Sequence, residues 1–434
     1  MLIVQQVMRE VAKWEARLEA EEVLDASQRR SFDAEQLLPC HYFDYMYGTS
    51  TGGLIATMLG RLRMTVGQCL REYRLVGDDL FGHKRSKIPL ATKYRHKPLE
   101  EAVQRIVREN CPVHEKCDGK DWHPWDVDAV VAEDSSERVA TERICQSICL
   151  TATHTERIDE AYLLRTYNHR YVDVPNWITM YNDGAEKLRI WEVTRATSAA
   201  PFYFKQLELT IDDELKAYKD GGIRENNPSS AAWNEFVSLY GEQKDPALLL
   251  SVGTGRPNQA YDGFASAWPG PLGELGIVRK AAEKIAVFKN LLIKYTEGEA
   301  SHIRMQQIAK GQHSWYKRLN VSTGLEKLKL DDWVRGKWQA PDEDVAHTVP
   351  GGVTLMRMDE VTTAYLTREF NKNLGDTYDS PRVMIDQAAE KMVRTRRARE
   401  RTQYTDQKRW DTYMGKHLRG RVNNGGALNG VGRQ

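Results

Sequence analysis

Apolar positions near the start of the chain fall on one helical face. Ile3, Val4, Val7, Met8, Val11, Trp14 and Leu18 recur at helical spacing with charged residues between them. The spacing predicts an amphipathic helix, and no small-residue cleavage site follows it to mark a secretory leader. After a polar stretch comes the compact run His41–Tyr47, whose aromatic content predicts a buried strand. It stops at Gly48-Thr-Ser-Thr-Gly-Gly53 and gives way to the apolar helical stretch LIATMLGRL. Residues 65–110 carry amphipathic helical patterns, and 111–142 read as a polar loop region. Ile144–Thr151 and Ala161–Tyr167 read as strands, and Ile190–Ala199 as a helix that ends before Pro201. Asp220 closes a predicted strand, Ser229–Tyr240 is a predicted helix, and Ala247–Gly255 a buried strand ending in a glycine-flanked turn.

Strands alternating with helices predict an α/β fold, with a mostly parallel central sheet flanked by helices. Beyond about residue 275 helical signals dominate, at Glu274–Ser301 and Met358–Leu374. From Gly415 the chain is rich in Gly, Asn and Arg, which predicts disorder. The expected division is an α/β domain over 1–275, a helical C-terminal extension over 276–390, and a basic helix with a disordered tail over 391–434.

Composition narrows the classes. Hydrophobic residues make up 41% and charged residues 28%, as in ordinary globular proteins, and no apolar run is long enough to span a membrane. Six cysteines without a leader read as free thiols in a reducing compartment, which makes the cytoplasm the expected location. Net charge is +1 but uneven: residues 391–421 hold eleven Lys/Arg against three Asp/Glu. This basic tail on an acidic body suggests peripheral contact with an anionic membrane surface. The basic helix Arg394–Arg401 lacks aromatic interleaving, so nucleic acid is not an expected partner.

The chemistry concentrates at Gly48-Thr49-Ser50-Thr51-Gly52, a G-x-S-x-G pattern between a strand and a helix. A serine on such a sharp turn is strained and exposed, and small residues beside it are expected to avoid backbone clashes. The helix beginning at Thr51 aims unpaired N–H groups at any oxyanion formed there. No Lys follows the glycines, which disfavours a phosphate loop. A serine needs a base. Asp220, followed by Gly221 and Gly222, can approach another loop closely, because no side chain stands in the way. The alternative base is a histidine in an α/β-hydrolase triad, with His347, His302 or His313 as candidates and no motif around any of them. Cys111, His114, Cys117 and His123 cluster in sequence, but not at a standard zinc spacing, so no metal is expected.

Taken together, Gly48–Gly53, Ala196-Thr-Ser-Ala-Ala-Pro201, Asp220–Gly222 and Ser251-Val-Gly-Thr-Gly255, in this order, resemble the patatin-like phospholipases. The resemblance implies a Ser–Asp dyad without histidine, with Ser50 as nucleophile and Asp220 as proton acceptor. It also implies a lipid acyl ester as substrate (phospholipase A-type or lysophospholipase-type), an acyl-serine intermediate and no cofactor. The region around Lys317–Trp333, read as helical, resembles an extension of larger fungal-type members. Such proteins carry a strand and a Gly-rich oxyanion loop ahead of the first helix, whereas Met1 stands at that helix here. The expectation is an oxyanion site reduced to the Thr51 N–H with help from Gly52. On that count the rival to a working hydrolase is a catalytically impaired lipid-binding or interaction protein of the same fold.

Overall fold

The computed structural model of the chain describes residues 1–82, 92–110, 118–119, 125, 147–155, 159–201, 203–211, 213–255, 298–311, 314–326, 328, 331–339, 344–376, 378–401 and 405. Helix α1 (Leu2–Glu22) buries Val7, Met8, Val11 and Leu18, the face its periodicity defines. Strand β1 (Tyr45–Thr49) starts four residues later than the aromatic run predicts. Pro39–His41 form a 3-10 turn instead, and Tyr42 is buried because its hydroxyl donates to Glu15 of α1 at 3.1 Å. Tyr42 thus serves a helix contact, while Tyr45 and Tyr47 stay in the sheet. Helix α2 (Thr51–Ala56) follows Ser50 directly and continues as a π-helical turn, Thr57–Arg61. Next come α3 (Val66–Phe81), which opens with a capping box between Thr65 and Gln68, and α4 (Lys97–Asn110).

The central strand is β2 (Ser147–His154), whose residues are buried almost throughout. It pairs in parallel with β1, with Gly48 opposite Leu150. Its other edge pairs antiparallel with β3 (Tyr162–Arg165), and on the β1 edge, beyond the end of β1, it pairs antiparallel with β5 (Glu214–Asp220), where Ala152 faces Asp220. β5 in turn pairs antiparallel with β4 (Leu207–Ile211) across a tight turn in which Asp213 takes φ +63°. The α/β class holds with a mixed sheet: strands joined by so short a connection can only run antiparallel. Helix α5 (Ile190–Thr197) lies between β3 and β4 in sequence, and α6 (Ser229–Tyr240) follows β5.

Strand β6 (Leu249–Val252) pairs in parallel with β7 (Tyr316–Leu319), far along the chain. The segment around Lys317–Trp333 is therefore not helical: it contains β7, whose four residues are too few and too polar to signal a strand. A hairpin of β8 (Gly336–Trp338) and β9 (His347–Val349) precedes α7 (Gly352–Thr367), which starts earlier and ends earlier than Met358–Leu374. The expected helical extension thus contains strands. Helix α8 (Pro381–Arg401) packs along α1.

That packing accounts for part of the positive charge of residues 391–421. Arg396, Arg397 and Arg399 are buried. Glu15 accepts from Arg396 Nε at 2.5 Å and Arg397 Nε at 2.8 Å; Glu19 accepts from Arg397 Nη2 at 2.9 Å; Asp44 accepts from Arg399 at 2.9 Å. These charges answer acids of the body and are not presented to a surface outside. Residues 406–421 lie outside the described residues, as do Cys111, His114, Cys117, His123 and His313. Among the described residues no helix is long and apolar enough to cross a membrane.

Candidate active site

Ser50 stands on the turn between β1 and α2 with φ +53° and ψ −119°. A non-glycine residue held there stores roughly 1–3 kcal/mol of strain, which the surrounding contacts must hold. Two bonds do so: Ser50 N donates to Thr197 Oγ1 at 2.9 Å, and Thr197 Oγ1 donates to the Thr151 carbonyl of β2 at 2.7 Å. On the other side Thr49 Oγ1 lies 2.7 Å from Thr151 Oγ1 and 2.7 Å from the Glu225 carbonyl. The turn is therefore tied to the sheet and to the chain after β5.

The flanking glycines are not equivalent. A Cβ on Gly48 would lie 2.3 Å from the Gly52 carbonyl oxygen, so only glycine lets the two backbones meet. A Cβ on Gly52 would meet nothing within 4 Å, so the expected clash at that position does not exist: its Cα points away from the turn. Gly52 and Thr51 instead contribute first-turn N–H groups that have no helical acceptor.

Asp220 comes from the far side of the sheet sequence, 170 residues on, and is brought in by its pairing with β2. Its Oδ2 accepts from Ser50 Oγ at 2.6 Å, and its Oδ1 accepts from Gly222 N at 2.7 Å. Gly221 packs directly on Thr151, and Asp220 N is fixed by the Ala199 carbonyl at 3.1 Å. Burial pushes the Asp220 carboxyl up to about 6, and the bonds from Ser50 and Gly222 offset this only in part. Among the described residues no cation answers it. A carboxylate with raised proton affinity, touching a strained serine hydroxyl, can take that proton.

The pair opens into a cavity of about 1570 Å³, whose wall is largely apolar and includes Leu54, Ile55, Leu80, Phe81, Tyr203 and Phe204. The cavity is deep enough for a long acyl chain. The two described histidine candidates lie elsewhere: His302 is held by the Tyr316 hydroxyl at 2.8 Å, and His347 is on the exposed hairpin strand β9. Among the described residues no group of three or more His, Cys, Asp or Glu is arranged to hold a metal.

Sequence reasoning gave Thr197 no role, although it noted the run Ala196–Pro201 that holds it. A β-branched hydroxyl in an Ala-rich helix end was the available signal. Thr197 is the peg that positions Ser50, since it bonds the Ser50 backbone and the central strand at once.

Residues 22–233 match the family described as patatin-like phospholipase. The chain is 29% identical over 225 residues to calcium-independent phospholipase A2-gamma of Homo sapiens, which is 50% of this chain and 25% of the relative. It is 24% identical over 247 residues to phospholipase A I of Arabidopsis thaliana, 50% of this chain and 18% of the relative. With patatin-like phospholipase 1 of Plasmodium falciparum it shares 25% identity over 314 residues, 69% and 40% of the two chains. The matched segment spans about a quarter of the length of the mammalian relatives.

Proposed function

Because residues 22–233 of this chain match the patatin-like phospholipase family, we propose that it is a lipid acyl hydrolase, with Ser50 as nucleophile and Asp220 as proton acceptor. The reading rests above all on the 2.6 Å hydrogen bond from Ser50 Oγ to Asp220 Oδ2. Asp220 takes the hydroxyl proton as Oγ attacks the ester carbonyl of a lipid, and the N–H groups of Thr51 and Gly52 meet the oxyanion. The tetrahedral intermediate collapses, the departing alcohol takes the proton from Asp220, and acyl-Ser50 remains. Water then attacks the acyl carbonyl and gives its proton to Asp220. That proton returns to Ser50 Oγ as the fatty acid leaves. No step calls on a metal or an organic cofactor. The substrate class that fits is a phospholipid or lysophospholipid ester.

Labelling with a serine-directed fluorophosphonate tests the reading. The chain takes the label, Ser50→Ala does not, and Ser50→Ala loses hydrolysis of a soluble acyl ester by about 10³-fold or more. Equal labelling of the two proteins overturns the assignment of Ser50.

A further inference from the structure

The run Ser251–Gly255 has no part in the reaction above, yet it lines the same cavity as Ser50. β6 ends there as β1 ends at Ser50, each at the carboxyl end of a strand in parallel pairing, where α/β sheets gather their ligands. The neighbouring strand β7 brings Arg318 into this corner. Its Nη1 donates to Ser251 Oγ at 2.7 Å, and Ser251 Oγ lies 2.9 Å from Ser229 Oγ, the residue that opens α6. Both hydroxyls lean on Asn227 Oδ1, at 3.3 Å and 2.7 Å. A Cβ on Gly253 would fall 2.9 Å from Arg318 Nη2 and closer still to Asn320, so this glycine gives the guanidinium its room.

Arg318 is unlike the other arginines turned inward. Arg165 is paired with Glu235, Arg368 with Asp376, and Arg396 and Arg397 with Glu15. Among the described residues no carboxylate lies at ion-pair distance from Arg318, whose Nε is buried without a partner. Glu299, also on the cavity wall, is engaged instead by Asn320 Nδ2 at 3.4 Å. A cation facing two neutral hydroxyls at a cavity wall is an incomplete set: the fork of donors matches a tetrahedral oxyanion. The first turn of α6 adds positive potential on the same side. The short segment from Asp220 to Ser229 keeps this corner beside the dyad.

We propose that Arg318, with the hydroxyls of Ser251 and Ser229, receives a phosphate group and fixes the phosphodiester of a phospholipid headgroup while the ester lies at Ser50. The headgroup part rests on the hydrolase reading; phosphate binding does not.

The test uses the full chain and its Arg318→Met and Arg318→Lys variants. The assay is kcat/KM on monomeric short-chain phosphatidylcholine divided by kcat/KM on p-nitrophenyl hexanoate. Arg318→Met lowers this ratio about 10–100-fold, and Arg318→Lys, which keeps the charge and loses the fork, lowers it less. Separately, inorganic phosphate is titrated calorimetrically into Ser50→Ala at constant ionic strength. Heat is expected there and is absent when Arg318→Met is added. If Arg318→Met fails to fold, Arg318→Lys and Ser251→Ala carry both measurements. An unchanged ratio overturns the headgroup assignment, even where free phosphate binds. No phosphate heat together with an unchanged ratio overturns the site. If the wild-type chain cleaves neither ester, the hydrolase reading fails, and the titration still decides the phosphate site.

Discussion

Asp220 and Glu19 are both buried carboxylates, and they behave in opposite ways. Asp220 faces a serine hydroxyl and one backbone N–H, and burial carries it up to about 6. Glu19 on α1 also suffers burial, but Arg30 and Arg397 donate to it and bring it down to about 2. Desolvation alone therefore does not set the chemistry of a buried acid; the charge of its donors does. The dyad corner keeps a carboxylate able to hold a proton, whereas the contact between α1 and α8 uses carboxylates as fixed anions.

Asp220→Asn should break the comparison most sharply, with a loss of hydrolysis on the order of 10³-fold or more. Its folded pKa lies above its unfolded value, so ionisation opposes folding, fully above about 6 and hardly below about 4. Asn removes that penalty. Melting at pH 8 should show the variant at least as stable as the wild type, and a Tm lower by several degrees would make Asp220 a structural anion like Glu19.

On the other side of the comparison, Arg397→Met strips donors from Glu15, Glu19 and Glu22 at once. Urea unfolding should show a loss of about 3–5 kcal/mol, the usual result of stranding a buried charge. A loss under about 1 kcal/mol would mean that apolar packing alone joins α1 to α8.

Smaller effects separate the two glycines beside Ser50. Gly48→Ala forces a Cβ into the Gly52 carbonyl and should cost about 1–3 kcal/mol or more, with fluorophosphonate labelling lost. Gly52→Ala enters open space in a helix and should be neutral or slightly stabilising. Matching melts for the two variants would refute the geometry of the turn.

The mildest probe is pH. Activity on a soluble ester should fall as pH drops through about 6, because Asp220 gains a proton. Glu19 has a lowered folded pKa, so its contribution is complete above its ordinary value of 4.5 and is lost only as pH falls toward about 2. Between those limits the chain should be folded and slow. Near-UV circular dichroism that changes together with the rate would contradict this.

The meeting of Ser50 and Asp220 was legible because both residues sit in compact runs: Gly48–Gly53 and Asp220–Gly222 name themselves through their glycines. The element Ser229–Tyr240 was read to its ends, since Pro228 and Gly241 bound a stretch rich in Ala, Trp, Phe, Val and Leu. β7 was not legible. Its Lys317 and Arg318 look like surface charges, and one is wholly buried while the other faces the cavity. The partners of three α8 arginines were not legible for a related reason: a run of positive charge was counted without the acids that face it. The signal was present in α1, where Glu15, Glu19 and Glu22 fall at helical spacing on the face that α8 covers.

That last contact also has a consequence in time. Glu15 and Arg396 are 381 residues apart in the chain. At a synthesis rate of roughly 5–20 residues per second, α1 emerges about 20–80 s before its partner exists. Helices themselves form within about a microsecond. For most of its synthesis the nascent protein thus carries an α1 whose acids lack the arginines of α8. Ribosome-bound chains stalled before Pro381 should recruit holding chaperones, and release should follow the translation of α8.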